Sequence, residues 1–251
     1  MWNRVELKER AKAAFTKNYW KCVLVALILS LITAGSSGAS GNSGDSNNSG
    51  YYTEYDYYDD GISFHVGDLV SSAVTAIFAA VLGIFAIVSV VLGIFVFRPI
   101  EIGGCRFFIE NAYENPGPGK LLYAFQSGYY GKMVLTMFLK ELYTFLWSLL
   151  FIVPGIIKSY EYRMIPYLLA DCPDMPREEA FAISKEMMYG NKMDAFILDL
   201  SFIGWNILAA LSCGLVGLFW TVPYQNATNA ELFLALKDQY FASRNADQVV
   251  Y

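Results

Sequence analysis

The chain has few charges and few residues suited to polar chemistry. Only 16% of its 251 residues are charged, and the single histidine is His65. The four cysteines, Cys22, Cys105, Cys172 and Cys213, lie far apart without a CxxC spacing, which excludes a disulfide framework or a zinc site of the usual spacing. No HExxH, GxSxG, P-loop or dinucleotide fingerprint occurs. We therefore expect a protein that is not an enzyme, with no catalytic residue, cofactor or metal.

The chain is instead rich in apolar sequence. Hydrophobic residues make up 55% of it, and the mean hydropathy is +0.36. Residues 69–97 are 29 consecutive positions without a charge. As a helix they would be about 43 Å long, enough to cross a hydrocarbon core of about 30 Å. Uncharged runs beyond about 18 residues are typical of membrane helices. We predict an all-α integral membrane protein in which residues 1–251 form one membrane domain.

Six helices are predicted to cross the membrane in three hairpins. The predicted spans are 19–34, 68–97, 133–153, 155–170, 194–211 and 214–233. Pro154 and Gly155 are predicted to form the outer turn of the middle hairpin, because proline lacks a backbone donor and glycine tolerates left-handed dihedrals. The sequence SCGLVG at 212–217 is predicted to turn the third hairpin. In a four-span alternative, 133–170 crosses the membrane once.

The basic residues predict the orientation. Of the 18 lysines and arginines, 15 fall in segments that the six-span arrangement places inside, and none falls in the long loop at 35–66. Because positive residues accumulate on the cytoplasmic side, we expect both termini in the cytoplasm and the protein in the cell (cytoplasmic) membrane. The four-span alternative would place Arg177, Lys185 and Lys192 outside, against this rule.

The loop at 35–66 is predicted to be a disordered outer loop. It begins with a Gly, Ser and Asn tract that buries too little apolar surface to fold. A tyrosine- and acid-rich segment follows, in which Asp56, Asp59 and Asp60 are candidate cation ligands. The ligand spacing of a calcium loop is missing, which favours an interfacial edge leading into the next helix.

An amphipathic segment precedes an apolar helix three times along the chain. Aligning Asn18 with Asn191 also pairs Lys12 with Lys185. Each unit predicts a helix lying on the cytoplasmic leaflet, with a solvated helix as the alternative. In the first unit the apolar face is formed by Val5, Leu7, Ala11, Ala14 and Phe15.

Ionisable residues inside the predicted spans form the candidate functional site. They are Lys140, Glu141, Lys158, Glu161, Arg163 and Asp199, with Asn206 and Glu231 as further candidates. Such groups are unfavourable in hydrocarbon unless they are paired or hydrated. Lys158 and Glu161 are three apart on a helix, and Lys140 and Glu141 are expected to face them across the hairpin. Two functions stay open: helix-locking pairs in a scaffold or accessory factor, and small-solute or ion transport through the middle hairpin.

Several motifs resemble a known family. They are PGIIK at 154–158, Pro166-Tyr167, Gly190-Asn191-Lys192, LDLSFIGW at 198–205 and Pro223-Tyr224. In combination they resemble the bacterial membrane family catalogued as domain of unknown function 975. The resemblance implies a polytopic protein of the cytoplasmic membrane and supplies no catalytic residue. The expected partners are the lipid bilayer and either a second copy of the chain or another membrane protein, but no nucleic acid.

Overall fold

The computed structural model describes the backbone of residues 2–37 and 66–249, and the side chains of 2–31 and 73–245. The predicted outer loop, including His65, Asp56, Asp59 and Asp60, lies outside these residues apart from its helical ends. Every element of the described part is helical, which confirms the all-α prediction.

Twelve α-helices make up the described part of the chain: α1 (Arg4–Lys17), α2 (Tyr19–Ser37), α3 (Val66–Leu92), α4 (Arg98–Asn111), α5 (Tyr123–Gln126), α6 (Tyr130–Leu150), α7 (Ile152–Glu161), α8 (Ile165–Asp171), α9 (Arg177–Met187), α10 (Lys192–Leu200), α11 (Ile203–Leu211) and α12 (Val222–Val249). Two π-helical turns, Gly93–Phe97 and Gly217–Thr221, lead directly into α4 and α12. A 3-10 turn, Pro118–Leu122, precedes α5.

Three inner helices, α4, α8 and α12, form the centre of the fold. Each has proline as its second residue. In α8 this position is in the first turn, which needs no backbone N–H, whereas in α4 and α12 the proline directly follows a π-helical turn. The rings of Tyr167 in α8 and Phe233 in α12 stack with centroids 5.5 Å apart. Lys237 Nζ lies 2.6 Å from Asp171 Oδ2 and joins the middle of α12 to the last residue of α8. The buried residues of α4, among them Ile102, complete this core.

Each amphipathic segment packs on one of the inner helices. α1 lies against α12, the 3-10 turn and α5 lie against α4, and α9 lies against α8. On α1 the buried residues are Leu7, Ala11 and Phe15, whereas Val5 is 64% exposed. Three of the five residues of the predicted apolar face are therefore covered by protein, where the prediction expected lipid. An amphipathic pattern indicates that one face is buried but does not say what buries it.

Three apolar arms carry most of the exposed hydrophobic side chains. We define them as α3, residues 142–157 and residues 203–219. Phe85 is 70% exposed, and Leu149 and Leu211 are each 77% exposed. Three helical segments are long and apolar enough to cross a membrane, namely Ala73–Asn111, Tyr130–Leu150 and Lys192–Leu211. α1 and α2 pass the same test together but are bent by 101° at their junction.

Two of the six predicted spans are interrupted helices whose second halves lie largely in the core. The span predicted at 155–170 is broken between Glu161 and Ile165, and all of α8 except its last residue, Asp171, is buried. The span predicted at 214–233 contains a turn, a π-helical turn and the start of α12, which is largely buried in the core. Both segments were predicted from hydropathy, and an apolar residue that faces a protein core has the same hydropathy as one that faces lipid.

The chain reverses near both predicted turns, the one at Pro154-Gly155 and the one at 212–217. The first reversal falls three residues earlier than predicted. Between α6 and α7 the break falls at Phe151, which is extended with φ −154° and ψ 142°, while Pro154 and Gly155 lie in the first turn of α7. A Cβ on Gly155 would lie 2.7 Å from Ser148 Cα, so glycine permits the close approach of the two helices. In the third hairpin the reversal lies at Cys213 and Gly214, with φ of 52° and 88°.

Candidate functional site

The predicted ionisable residues lie where the middle arm leaves the core, and they form three ion-paired groups. The first is centred on Glu161, whose side chain is 4% exposed. Its two carboxylate oxygens each lie 3.0 Å from an ammonium nitrogen, one of Lys158 and one of Lys192. The hydroxyl of Ser184 also donates to the carbonyl oxygen of Glu161 over 2.7 Å. The group joins α7, α9 and α10, and it contains the predicted Lys158–Glu161 pair.

The second group is centred on Arg163. Its two terminal nitrogens donate to the two oxygens of Asp199, each over 2.7 Å, in the bidentate geometry that makes such pairs strong. Tyr160 donates its hydroxyl to the same carboxylate over 2.7 Å. Arg163 Nη2 donates in addition to Asn229 Oδ1 over 2.8 Å. This group ties the turn after α7 to α10 and α12.

The third group joins α4 to α6. Arg98 Nη1 lies 2.8 Å from Glu101 Oε2, and Arg98 Nη2 lies 3.3 Å from Glu141 Oε1. Lys140 Nζ is 3.5 Å from the same Glu141 oxygen. Within the described residues, Lys140 and Glu141 form no ion pair with Lys158 or Glu161, so the expected pairing across the hairpin is replaced by pairing to α4.

Two adjoining cavities lie between these groups. The polar chamber, of about 330 Å³, is lined by the side chains of Glu101, Lys140, Glu141, Arg163, Asn226 and Asn229 among others. The apolar groove, of about 610 Å³, lies between the end of α3 and α6, and it is lined by Val90, Ile94, Phe97, Phe138, Leu142 and Phe145 among others. Glu101, Glu141, Asn226 and Leu29 line both cavities, so the chamber and the groove are neighbours.

The further candidates lie outside these groups. Glu231 in α12 is 6% exposed in its side chain and lies 2.6 Å from Arg10 Nη2 in α1. Asn206 is an exposed residue of α11. Glu231 therefore joins the first amphipathic helix to the core.

Sequence reasoning missed Arg98, Glu101, Lys192 and Asn229 as members of the site. Arg98 and Lys192 directly border apolar segments, so a search for charges at the ends of such segments would have found them. Asn229 carries no such signal, since it lies 66 positions from Arg163 and meets it only through the packing of α12.

Asn18 and Asn191, which the repeat aligns, occupy equivalent junctions. Asn18 lies between α1 and α2, and its side chain donates to Asn111 Oδ1 over 2.8 Å. Asn191 directly precedes α10 and accepts from Trp2 Nε1 over 3.0 Å. Each amide thus anchors the start of an apolar helix to a distant part of the fold.

These features define a helical protein with several segments suited to crossing a membrane. Residues 149–239 match the family described as "Protein of unknown function (DUF975)". This match confirms the resemblance over α7 to α11 and most of α12, and it includes the groups centred on Glu161 and Arg163. No curated protein and no solved structure matches the chain.

Proposed function

We propose that the protein is a multi-pass protein of the cytoplasmic membrane that acts as a non-enzymatic scaffold or accessory factor. The main support is that the candidate ionisable residues are paired between helices. Glu161 joins three helices, and Arg163 joins α10 and α12 to the turn after α7. Such pairs hold helices in fixed positions, which suits a rigid docking framework.

The chemistry of the Arg163 group favours a lock over a proton relay. A guanidinium stays protonated in proteins, so it does not pass a proton on. Both oxygens of Asp199 accept hydrogen bonds from it, and Tyr160 donates a third. A proton carrier at this position would have to break several charge-assisted hydrogen bonds in each cycle.

The proposal places both termini in the cytoplasm and inserts the three apolar arms from that side. The ion-paired groups then lie at the base of the arms, near the headgroups, where charged side chains reach water. α7 has ten residues and is about 15 Å long, half of a hydrocarbon core of about 30 Å. The middle arm therefore enters the membrane less deeply than α3, which has 27 residues.

A charge exchange tests the lock. We expect Arg163→Asp alone to destabilise the protein, because it faces Asp199 with a second carboxylate. The double variant Arg163→Asp with Asp199→Arg should recover much of the unfolding temperature in mild detergent. A matched control is the double variant Arg177→Glu with Glu178→Arg. This pair is exposed, so its exchange should change the unfolding temperature little. The lock is refuted if the double variant is no more stable than the single one.

The scaffold role has its own test in cells. After chemical crosslinking and mild solubilisation, we expect the same partner protein at a constant molar ratio from the wild type and the exchanged double variant. Recovery of the chain alone, or of a different set of proteins in each preparation, would contradict a scaffold.

Transport is the second candidate, and the polar chamber is the observation that favours it. Lys140, Glu141 and Arg163 line one cavity between helices. Proteoliposomes loaded with a pH-sensitive dye would report proton movement driven by sodium or potassium gradients. Under the scaffold proposal the flux equals that of empty liposomes. Flux that is present in the wild type and absent in Glu141→Gln would favour transport instead.

A further inference from the structure

We infer that the polar chamber and the apolar groove together hold one phospholipid, with its phosphate at Lys140 and an acyl chain in the groove. The inference rests on the membrane insertion proposed above. It adds a specific ligand site to a protein for which the scaffold proposal needs only paired helices.

The two cavities have the shape of a site for an amphiphile. They share Glu101, Glu141, Asn226 and Leu29 as lining residues, so a polar head in one is adjacent to an apolar tail in the other. Volumes of about 330 and 610 Å³ both lie in the range of ligand sites, about 300 to 1,000 Å³. A small polar solute would leave the groove unfilled.

Lys140 is the chamber cation with the fewest partners in the described part of the chain. Its side chain is 15% exposed, and its only ion pair in the described part of the chain is the 3.5 Å contact with Glu141. An ammonium has three donors, and phosphate oxygens accept strong charge-assisted hydrogen bonds from it. By contrast, Arg163 already holds both oxygens of Asp199.

Arg98 offsets one of the two carboxylate charges of the chamber, so a phosphate at Lys140 replaces the 3.5 Å contact of this ammonium with Glu141. Arg98 lies 2.8 Å from Glu101 and 3.3 Å from Glu141. The chamber also presents the amides of Asn226 and Asn229, which can donate to the remaining oxygens of a headgroup.

The groove is continuous with the lipid-facing surface of the arms. One wall is the end of α3 and its π-helical turn, where Gly93 contributes no side chain. The other wall is α6, through Phe138, Leu142 and Phe145. Outside the groove the same helices present Val91 and Leu146, 48% and 51% exposed. An acyl chain that solvates the arms therefore reaches the groove sideways, without leaving an apolar environment.

The test measures lipid binding to the full-length protein purified in a neutral detergent. Native mass spectrometry with phosphatidylglycerol gives the affinity and the number of lipids bound. Glycerol 3-phosphate tests the head without a tail. Two variants target the site, Lys140→Gln for the head and Leu142→Trp for the tail. Their controls on the same helix are Lys132→Gln and Leu149→Trp, which change an exposed lysine and an exposed leucine outside both cavities.

We expect one tightly held phospholipid in the wild type. Lys140→Gln should weaken its binding by about tenfold or more, the loss typical of a charge-assisted hydrogen bond. Leu142→Trp should weaken it as well, because the indole fills the groove, while both controls stay within about twofold of the wild type. The inference is overturned if Lys140→Gln behaves like Lys132→Gln, or if glycerol 3-phosphate binds as tightly as the lipid.

The outcome is separable from that of the proposed function. Extraction of membranes with alkaline carbonate shows whether each variant stays embedded. If the wild type is embedded and the site variants bind lipid like their controls, only the lipid site fails. If the wild type itself is extracted, the membrane insertion fails and the lipid site fails with it.

Discussion

The helices α3 and α12 are the two longest in the described structure, and they use their residues in opposite ways. The described side chains of α3 are almost all exposed, and they include Ile77 and Phe85, 65% and 70% exposed. In α12, by contrast, the polar Thr228 and Glu231 are 0% and 4% exposed, beside the fully buried Phe233. α3 turns apolar atoms outward, as a lipid-facing helix does, whereas α12 is a core helix whose buried polar groups are paired.

A phenylalanine truncation in each helix gives the largest contrast. Phe233→Ala should destabilise the protein by about 3 to 5 kcal/mol, because it leaves a cavity beside Tyr167 in a packed core. Phe85→Ala removes the same atoms from an exposed position and should change stability by less than about 1 kcal/mol. Thermal unfolding of the two variants in one detergent measures the difference. Equal shifts would show that α12 is no better packed than α3.

The pair between Arg10 and Glu231 predicts an asymmetric loss. Arg10→Ala leaves a carboxylate that is 6% exposed without its cation, and should cost about 3 kcal/mol. Glu231→Gln leaves a guanidinium that is 50% exposed and can be hydrated, so its effect should be smaller, about 1 kcal/mol.

The control for this pair is Arg177→Ala, which breaks an exposed pair and should cost less than about 1 kcal/mol. Chemical denaturation in detergent compares the three variants. If Glu231→Gln lowers the free energy of unfolding more than Arg10→Ala does, α12 is not a core helix with a buried carboxylate.

Two helical glycines should respond to alanine with opposite signs. On Gly103 in α4 a Cβ would lie 2.7 Å or less from three backbone atoms of Leu121, so Gly103→Ala should destabilise by about 2 kcal/mol. Gly83 in α3 has no heavy atom within 4 Å of such a Cβ. Gly83→Ala should therefore stabilise the helix by about 0.5 to 1 kcal/mol. Unfolding midpoints that move in the same direction would contradict this contrast.

The smallest perturbation uses cysteines already present in the chain. Cys172 and Cys213 are exposed, whereas Cys22 and Cys105 are buried. With a membrane-impermeant maleimide, we expect Cys172 to react only from the cytoplasmic face. We expect Cys213 to react only from the outer face, because Lys192–Leu211, which includes α10 and α11, is long enough to cross a membrane. The neighbouring protein atoms partly desolvate the Cys172 thiol and so raise its pKa, and the nearby Asp171 adds to the shift. Its thiolate fraction is therefore low at neutral pH, and labelling should become faster as the pH rises.

Cys172→Ser and Cys213→Ser assign the two signals. Reaction of Cys172 from the outside would reverse the proposed orientation. If Cys213 reacts from neither face, the third arm ends inside the bilayer, and the prediction that 194–211 and 214–233 each cross the membrane is wrong.

Much of the fold class was predictable from local pattern, because hydropathy and charge act over a few neighbouring residues. The uncharged run at 69–97 contains most of α3, and the Lys158–Glu161 pair follows from helical spacing. The partners of the other charges were not predictable in this way. Glu141 pairs with Arg98, and Arg163 pairs with Asp199 and Asn229, through contacts between segments that are distant in the chain.

By itself, the sequence determined that the chain is helical, that it has apolar segments of membrane length, and that residues 149–239 carry the motifs of a particular family. Only the tertiary structure decided which apolar segments face outward and which are buried. It also decided that the turn falls at Phe151 and that Lys140 lines a chamber next to an apolar groove. The physical reason is that hydropathy measures the avoidance of water, and a protein core satisfies it as well as a lipid does.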